Sequence, residues 1–146
     1  MDILTPEQRR RNMQAITGKN TKPEKIVRSI LHRLGYRFRL HSKNLPGKPD
    51  IVLPKYKTVV LVNGCFWHRH EGCRYTTTPA TNTKRWQEKF DANVARDKVV
   101  GRQLKKLGLQ VIVVWECETR DVETLAKRVR RHLRARLKRI TPPSAD

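Results

Sequence analysis

Apolar residues near the start of the chain recur at helical spacing and then give way to strand-like runs. Ile26, Val27, Ile30, Leu31 and Leu34 fall on one stripe, the spacing of a helix that buries one face. Thr21-Lys-Pro-Glu24 ahead of them has the form of a capping box, and Gly35 ends the run. Tyr36-Arg-Phe-Arg-Leu40 alternates apolar and basic residues, which predicts a half-exposed strand. A turn-rich segment, Asn44 to Pro49, leads into a short strand over Asp50–Leu53 that Pro54 stops. Thr58–Val62 predicts a buried strand, followed by a long loop from Asn63 to about Asn82. Trp86, Phe90, Val94, Leu104 and Leu107 mark the apolar positions of a helix over Thr83–Leu107, ended by Gly108. Leu109–Trp115 is apolar on both faces, which predicts a central strand. A last helix, Asp121–Arg139, places Val122, Leu125, Val129, Leu133 and Leu137 on its buried face and little but Lys and Arg on the other. The order α-β-β-β-α-β-α predicts an α/β fold, a mixed sheet with helices on its faces.

Composition narrows the class. A chain of 146 residues suits one domain with one core over 1–146. The hydrophobic fraction of 37% makes that core modest. No apolar run approaches a membrane span, and Met1–Pro6 lacks the apolar centre of a signal peptide. A cytoplasmic protein is expected. Lys and Arg number 33 against 13 acids, a net charge of +20. Such a chain repels itself unless a polyanion relieves it, and nucleic-acid phosphate is the expected partner. Residues 1–18, with Met13 and Ile16 as the apolar positions of a basic helical stretch, read as an arm that orders on DNA. Residues 141–146 read as a disordered tail.

Chemistry concentrates in Asn63-Gly-Cys-Phe-Trp-His-Arg-His-Glu-Gly-Cys73. In a reducing compartment, cysteines in odd number point to metal before disulfides. The spacing of Cys65, His70 and Cys73 lets them fold around one ion. Structural zinc takes four thiolate or imidazole ligands. Cys117, just past the strand ending at Trp115, becomes the fourth if that strand neighbours the one ending at Val62. His68 and Glu71 are the alternatives. With Cys117 as the ligand, His68 is left free in a braced loop.

Acids are scarce, so Asp50, directly after Pro49, stands out. A Pro-Asp pair followed some ten residues later by a second strand resembles the skeleton of a metal-dependent nuclease site. The second strand normally adds another acid and a lysine, whereas Val62-Asn63-Gly64 supplies neither. Phosphodiester cleavage needs a cation against the developing charge and a base for water. Asp50 can hold Mg2+ through oxygen, and His68 can serve as the base. Glu24 either caps its helix or reaches the same place through water.

At this point the residues resemble the very short patch repair (Vsr) DNA mismatch endonucleases. The likeness rests on Gly64-Cys-Phe-Trp-His-Arg-His70 followed by Cys73, on Leu45-Pro-Gly-Lys-Pro-Asp50, and on Val114-Trp-Glu-Cys117. It extends to Asn12-Met13, Ala15-Ile16, Trp86 with Glu88-Lys89, Asn93-Val94 with Arg96-Asp97, and Leu107-Gly108, all in order. The resemblance implies a restriction-endonuclease-like fold and a strand-specific nick 5′ of the thymine in a T·G mismatch. Such mismatches follow deamination of 5-methylcytosine, so it also implies coupling to a cytosine-5 DNA methyltransferase in a bacterial cytoplasm. A monomer suits a nick in one strand.

Carried over by position, Asp50 and the main-chain carbonyl of Val62 match the holders of Mg2+, and His68 matches the general base. Cys65, His70, Cys73 and Cys117 match structural zinc ligands. Phe66, Trp67 and Trp86 match an aromatic wedge beside the mismatch, Met13 a residue entering from the minor groove, and Lys89 and Asn93 contacts to the mismatched bases. Two positions depart from the family pattern. Asn63 stands where well-known members carry a histidine at the phosphate; an amide can hydrogen-bond there but carries no charge. Gly72 is an extra residue between His70 and Cys73, and glycine is easily accommodated in such a loop. The competing expectations are a restriction-type nuclease on undamaged duplex and a zinc-braced DNA-binding module without activity.

Overall fold

The computed structural model describes residues 20–140. The basic arm with Met13 and the C-terminal tail lie outside the described residues. Helix α1 spans Lys22–Arg33, β1 Arg39–Leu40, β2 Ile51–Leu53, β3 Thr58–Asn63, α2 Thr83–Lys106, β4 Gln110–Trp115 and α3 Val122–Ile140. Short 3-10 turns, Pro54–Tyr56 and Glu116–Arg120, follow β2 and β4.

The strands form one four-stranded sheet in the order β1-β2-β3-β4. The first two pairings are antiparallel, and β3 runs parallel to β4 with Val62 opposite Val114 and Asn63 opposite Trp115. This is a mixed α/β architecture. Parallel strands need a crossover, and α2 with the preceding loop provides it. Val27, Ile30 and Leu31 of α1 and Leu125, Val129 and Leu133 of α3 share one core with Ile51, Val60, Ile112 and Val114. Side chains alternate across a strand. Val59 is buried outside that cluster, as are Phe90 and Leu104 of α2, so α2 lies on the other side of the sheet.

Three expectations need correction. β4 is an edge strand, not a central one. Its apolar character comes from α2 and α3, which both pack on it. The edge is partly capped by Arg128, whose Nη2 donates to the Val113 carbonyl at 3.0 Å. The strand expected over Tyr36–Leu40 pairs only through Arg39 and Leu40, because the facing strand β2 is just Ile51–Leu53. Tyr36 and Phe38 still pack against the core. Leu107, expected on the apolar face of its helix, is 59% exposed at the C-cap of α2. Only Phe90 and Leu104 of α2 are fully buried, so most of this long helix faces a cleft or solvent. No helix among the described residues is long and apolar enough to cross a membrane.

Candidate active site

The C-terminal ends of β3 and β4 carry the chemistry. A cleft of about 1000 Å³ opens there, lined by the start of α1, the Gly47–Asp50 approach to β2, the end of β3, the following loop and one side of α2. Asp50 enters it from beside β2. Its Oδ2 accepts a hydrogen bond from the Val62 amide at 2.8 Å, which ties the two chain segments together. In an extended strand the N–H and C=O of one residue point to the same edge, so the Val62 carbonyl also faces Asp50. Burial pushes the Asp50 carboxyl above its ordinary range; the Val62 amide opposes this and the nearby Glu24 carboxylate adds to it.

Glu24 does more than cap. The first half of the capping box is present: the Glu24 amide donates to Thr21 Oγ1 at 3.4 Å. The carboxylate, however, accepts from the amide of Asn20 at 3.1 Å. Its other oxygen meets Arg28 and His41. The residue is only 2% exposed. Burial alone would raise its pKa, but hydrogen bonds and charge from Arg28 and His41 outweigh burial and hold it below the usual value. Ligand atoms of Glu24, His41 and Asp50 lie within 4.8 Å of one another. The acid that lies near Asp50 therefore comes from α1 and not from β3.

His68 is held by a partner the sequence reading missed. Its Nδ1 lies 2.7 Å from Asp97 Oδ2 on α2. A carboxylate only accepts, so Nδ1 carries a proton, and in the neutral ring the lone pair is then on Nε2. That is the tautomer a general base requires. Asn63, the last residue of β3, lines the same cleft.

Phe66, Trp67 and Trp86, the residues expected to form a wedge, pack together. Phe66 sits edge-on to Trp67, Trp86 and Phe90, with centroids 5.1, 5.8 and 5.2 Å away. Phe66, Trp67 and Trp86 line the cleft and are partly exposed, while Phe90 is the buried foundation. Asn93 Nδ2 donates to the Trp67 carbonyl at 3.4 Å, and Lys89 Nζ lies 5.4 Å from the Trp86 centroid. Arg69 fastens the loop beneath. Its guanidinium lies 3.9 Å from the Phe90 centroid and donates to the carbonyls of Phe66 at 3.3 Å and Thr77 at 2.8 Å.

The thiol cluster lies behind this wall. Because β3 and β4 are parallel neighbours, Cys65 and Cys117 emerge side by side; the Cys117 amide donates to Cys65 Sγ at 3.4 Å. His70 Nδ1 lies 3.7 Å from Cys65 Sγ and 3.4 Å from Cys117 Sγ. With Cys73, the donor atoms all fall within 4.8 Å of one another. A tetrahedron with bonds of about 2.3 Å to sulfur and about 2.0 Å to nitrogen has S···N edges of about 3.5 Å, so the spacing fits one zinc-sized ion. His68 turns instead to Asp97, and Glu71 is exposed and outside the group. The His70 ring stacks on Trp115 at 4.2 Å. Gly72 has φ +72°, so the extra residue takes a conformation that glycine adopts at little cost. Burial pushes the Cys65 thiol up to about 12; a compensating cation would be needed to hold it as thiolate.

Asp97 lies on a helical face in the sequence, and nothing in local pattern says what it meets. Arg28 and His41 carry no motif of their own, and Arg69 lies within the Gly64–His70 block without a role that the block itself signals. The backbone of Arg69 is left-handed at φ +53° and that of His41 at φ +46°, conformations that local sequence seldom signals in such residues.

Comparison with known proteins extends the geometry. The family model for the DNA mismatch endonuclease Vsr matches residues 1–74. Over 129 residues the chain is 51% identical to the type II nicking enzyme V.XorIIP of Xanthomonas oryzae pv. oryzae, covering 88% of this chain and 94% of the relative. Over 124 residues it is 41% identical to the DNA mismatch endonuclease Vsr of Escherichia coli strain K12, covering 85% of this chain and 79% of the relative. The catalytic domain of the homing endonuclease I-Bth0305I superposes with a TM-score of 0.58 at 20% identity, over 82% of this chain and 100% of that domain; this likeness concerns the fold. The family match runs through Asp50, His68 and the Cys65–Cys73 loop, and the relatives align along most of the chain: the protein belongs to the Vsr family of DNA mismatch endonucleases.

Proposed function

We propose that this endonuclease nicks one strand of duplex DNA on the 5′ side of the thymine in a T·G mismatch, using Mg2+. The observation that carries the reading is the meeting, in one cleft, of Asp50, a His68 with a free Nε2, and the Phe66–Trp67–Trp86 wall. Asp50 and the Val62 carbonyl would hold the Mg2+, which, when bound, supplies positive charge against the scissile phosphate. His68 Nε2 takes a proton from the attacking water, and Asp97 steadies the imidazolium that results. Asn63 donates a hydrogen bond to a phosphate oxygen. Glu24, already engaged by Arg28 and His41, acts through water at most.

The aromatic wall enters beside the mismatch. A mismatched pair is easier to unstack than a matched one, and apolar wedges recover that cost through contacts along the bent duplex. Lys89 and Asn93 then reach the mismatched bases, with Met13 from the opposite groove. Zinc at Cys65, His70, Cys73 and Cys117 braces the loop that presents Phe66, Trp67 and His68. The protein acts as a monomer on mismatches left when products of a cytosine-5 methyltransferase deaminate. Relatives named as type II nicking enzymes favour a single-strand nick over a restriction-type double cut.

End-labelled T·G and matched duplexes, each with and without Mg2+, test the reading. A Mg2+-dependent nick 5′ of the mismatched thymine, at least tenfold faster than on the matched duplex, is expected. Equal cutting of both would return the reading to a nuclease of undamaged DNA, and no cutting of either to a binding module.

A further inference from the structure

Helix α3 carries two kinds of basic residue. Arg128, Arg136 and Arg139 are engaged: they donate to Val113 O, to Tyr56 O and Gly108 O, and to Gln110 Oε1. Lys127, Arg130, Arg131, Arg134 and Lys138 are exposed, and no side-chain hydrogen bond or ion pair is seen for them among the described residues. Their spacing of i, i+3, i+4, i+7 and i+11 puts them on one stripe. It lies opposite Leu125, Val129 and Leu133, which face the core. Glu123, the only acid in the helix, lies about one turn before Lys127 and about two to four turns from the other four. The positive field is felt locally: burial first, then Arg128, Arg131 and Arg139, lower the pKa of His132.

No residue of α3 lines the catalytic cleft, and α3 packs on the sheet face opposite α2. The cleft cannot use this stripe directly. From Lys127 to Lys138 it runs roughly 16 Å along the helix axis, a length over which duplex DNA presents roughly ten phosphates. It carries no aromatic residue and no acid, the character of a surface that reads backbone charge and not bases.

We infer that the outer stripe of α3 is a second, sequence-independent docking surface for duplex DNA. It lets the enzyme hold one segment while the cleft engages another. This rests on the family's DNA substrate and not on the T·G preference.

The test uses the full-length protein saturated with a short T·G duplex, without added Mg2+, and titrated with a longer labelled matched duplex. The wild type should bind the second duplex, with log affinity falling against log salt at a slope of about −4. A variant with Lys127→Gln, Arg130→Gln, Arg131→Gln, Arg134→Gln and Lys138→Gln should lose at least tenfold in that second binding, while Arg130→Lys, Arg131→Lys and Arg134→Lys together should retain it. Nicking of the short T·G duplex at saturation should change by less than about twofold in the Gln variant, because the cleft is untouched. Failure of the wild type to bind a second duplex would overturn the inference, as would equal second binding by the helical Gln variant. Either result leaves the nicking reading standing.

Discussion

Two clusters of side chains that could hold a metal ion lie at the same end of the sheet and are built in opposite ways. The Cys65–His70–Cys73–Cys117 group draws soft donors from one loop and the turn after β4. His70 stacks on Trp115, and a Cys117 amide already points at Cys65. Its donors would satisfy an ion fully and leave no position for substrate, as structural zinc sites do. The Asp50–Glu24–His41 group draws two hard carboxylates and an imidazole from three separate segments and opens into the cleft. Glu24 there is already matched by Arg28, which leaves Asp50 as the acid facing the cleft. The difference separates support from chemistry. A closed set of ligands holds a loop in place, whereas an open set with one uncommitted carboxylate leaves room for phosphate and water.

The contrast predicts different kinds of failure. Cys117→Ala should have the largest effect. Structural zinc in small domains is worth about 10–16 kcal/mol in apparent folding energy, so the variant should lose its zinc by mass spectrometry and unfold at far lower temperature. Retention of one zinc per chain would show that Cys117 is not a ligand. His68→Ala should instead leave zinc content and DNA affinity nearly unchanged while nicking falls by about 10²–10⁴-fold. Loss of zinc in that variant would instead make His68 a ligand of the closed cluster.

Asp97→Asn should come next. His68 would keep its place but lose the acceptor that sets its tautomer, and single-turnover nicking should slow by about 10–100-fold; an unchanged rate would mean that water orients the ring as well as Asp97 does. Arg69→Ala removes a cation–π contact of about 0.5–2 kcal/mol and two backbone anchors. It should reduce preference for T·G over matched duplex by about tenfold, read as a ratio of nicking rates.

The smallest effect concerns stability. Asp50 holds its proton more tightly in the fold than an ordinary carboxyl, through burial above all. Its ionised form therefore opposes folding above the raised value, and the penalty disappears below the unfolded carboxyl's pKa of about 3.9. Asp50→Asn keeps an acceptor for the Val62 amide. Without Mg2+ at pH 7 it should melt about 2–4 °C higher, corresponding to about 1 kcal/mol, with the gain shrinking as pH approaches about 4. A lower melting temperature would show that the Asp50–Val62 link outweighs the burial cost.

Local pattern is a good guide where one face decides burial. The stripe of α1, the apolar run of β3 and the core face of α3 are legible for that reason, as is the three-ligand loop with its short spacing. Pattern fails where burial has more than one source. β4 looks central because helices cover it, although among the described residues no strand lies beyond it. Leu107 keeps helical spacing but sits at the C-cap of α2, where it is exposed.

The sequence by itself determined the helices and strands, the basic character, the loop that carries Cys65, His68 and His70, and the importance of Asp50. These depend on neighbours a few residues apart or on bulk charge. Only the tertiary structure brought Asp97 to His68, His41 to Glu24 and Asp50, and Arg69 under Phe66, and it alone supplied the β3–β4 pairing on which the expected meeting of Cys117 and Cys65 depended. Those contacts are set by the parallel pairing of β3 with β4 and by where α1 and α2 dock on the sheet. They join residues up to 52 positions apart, a separation over which local periodicity carries no information.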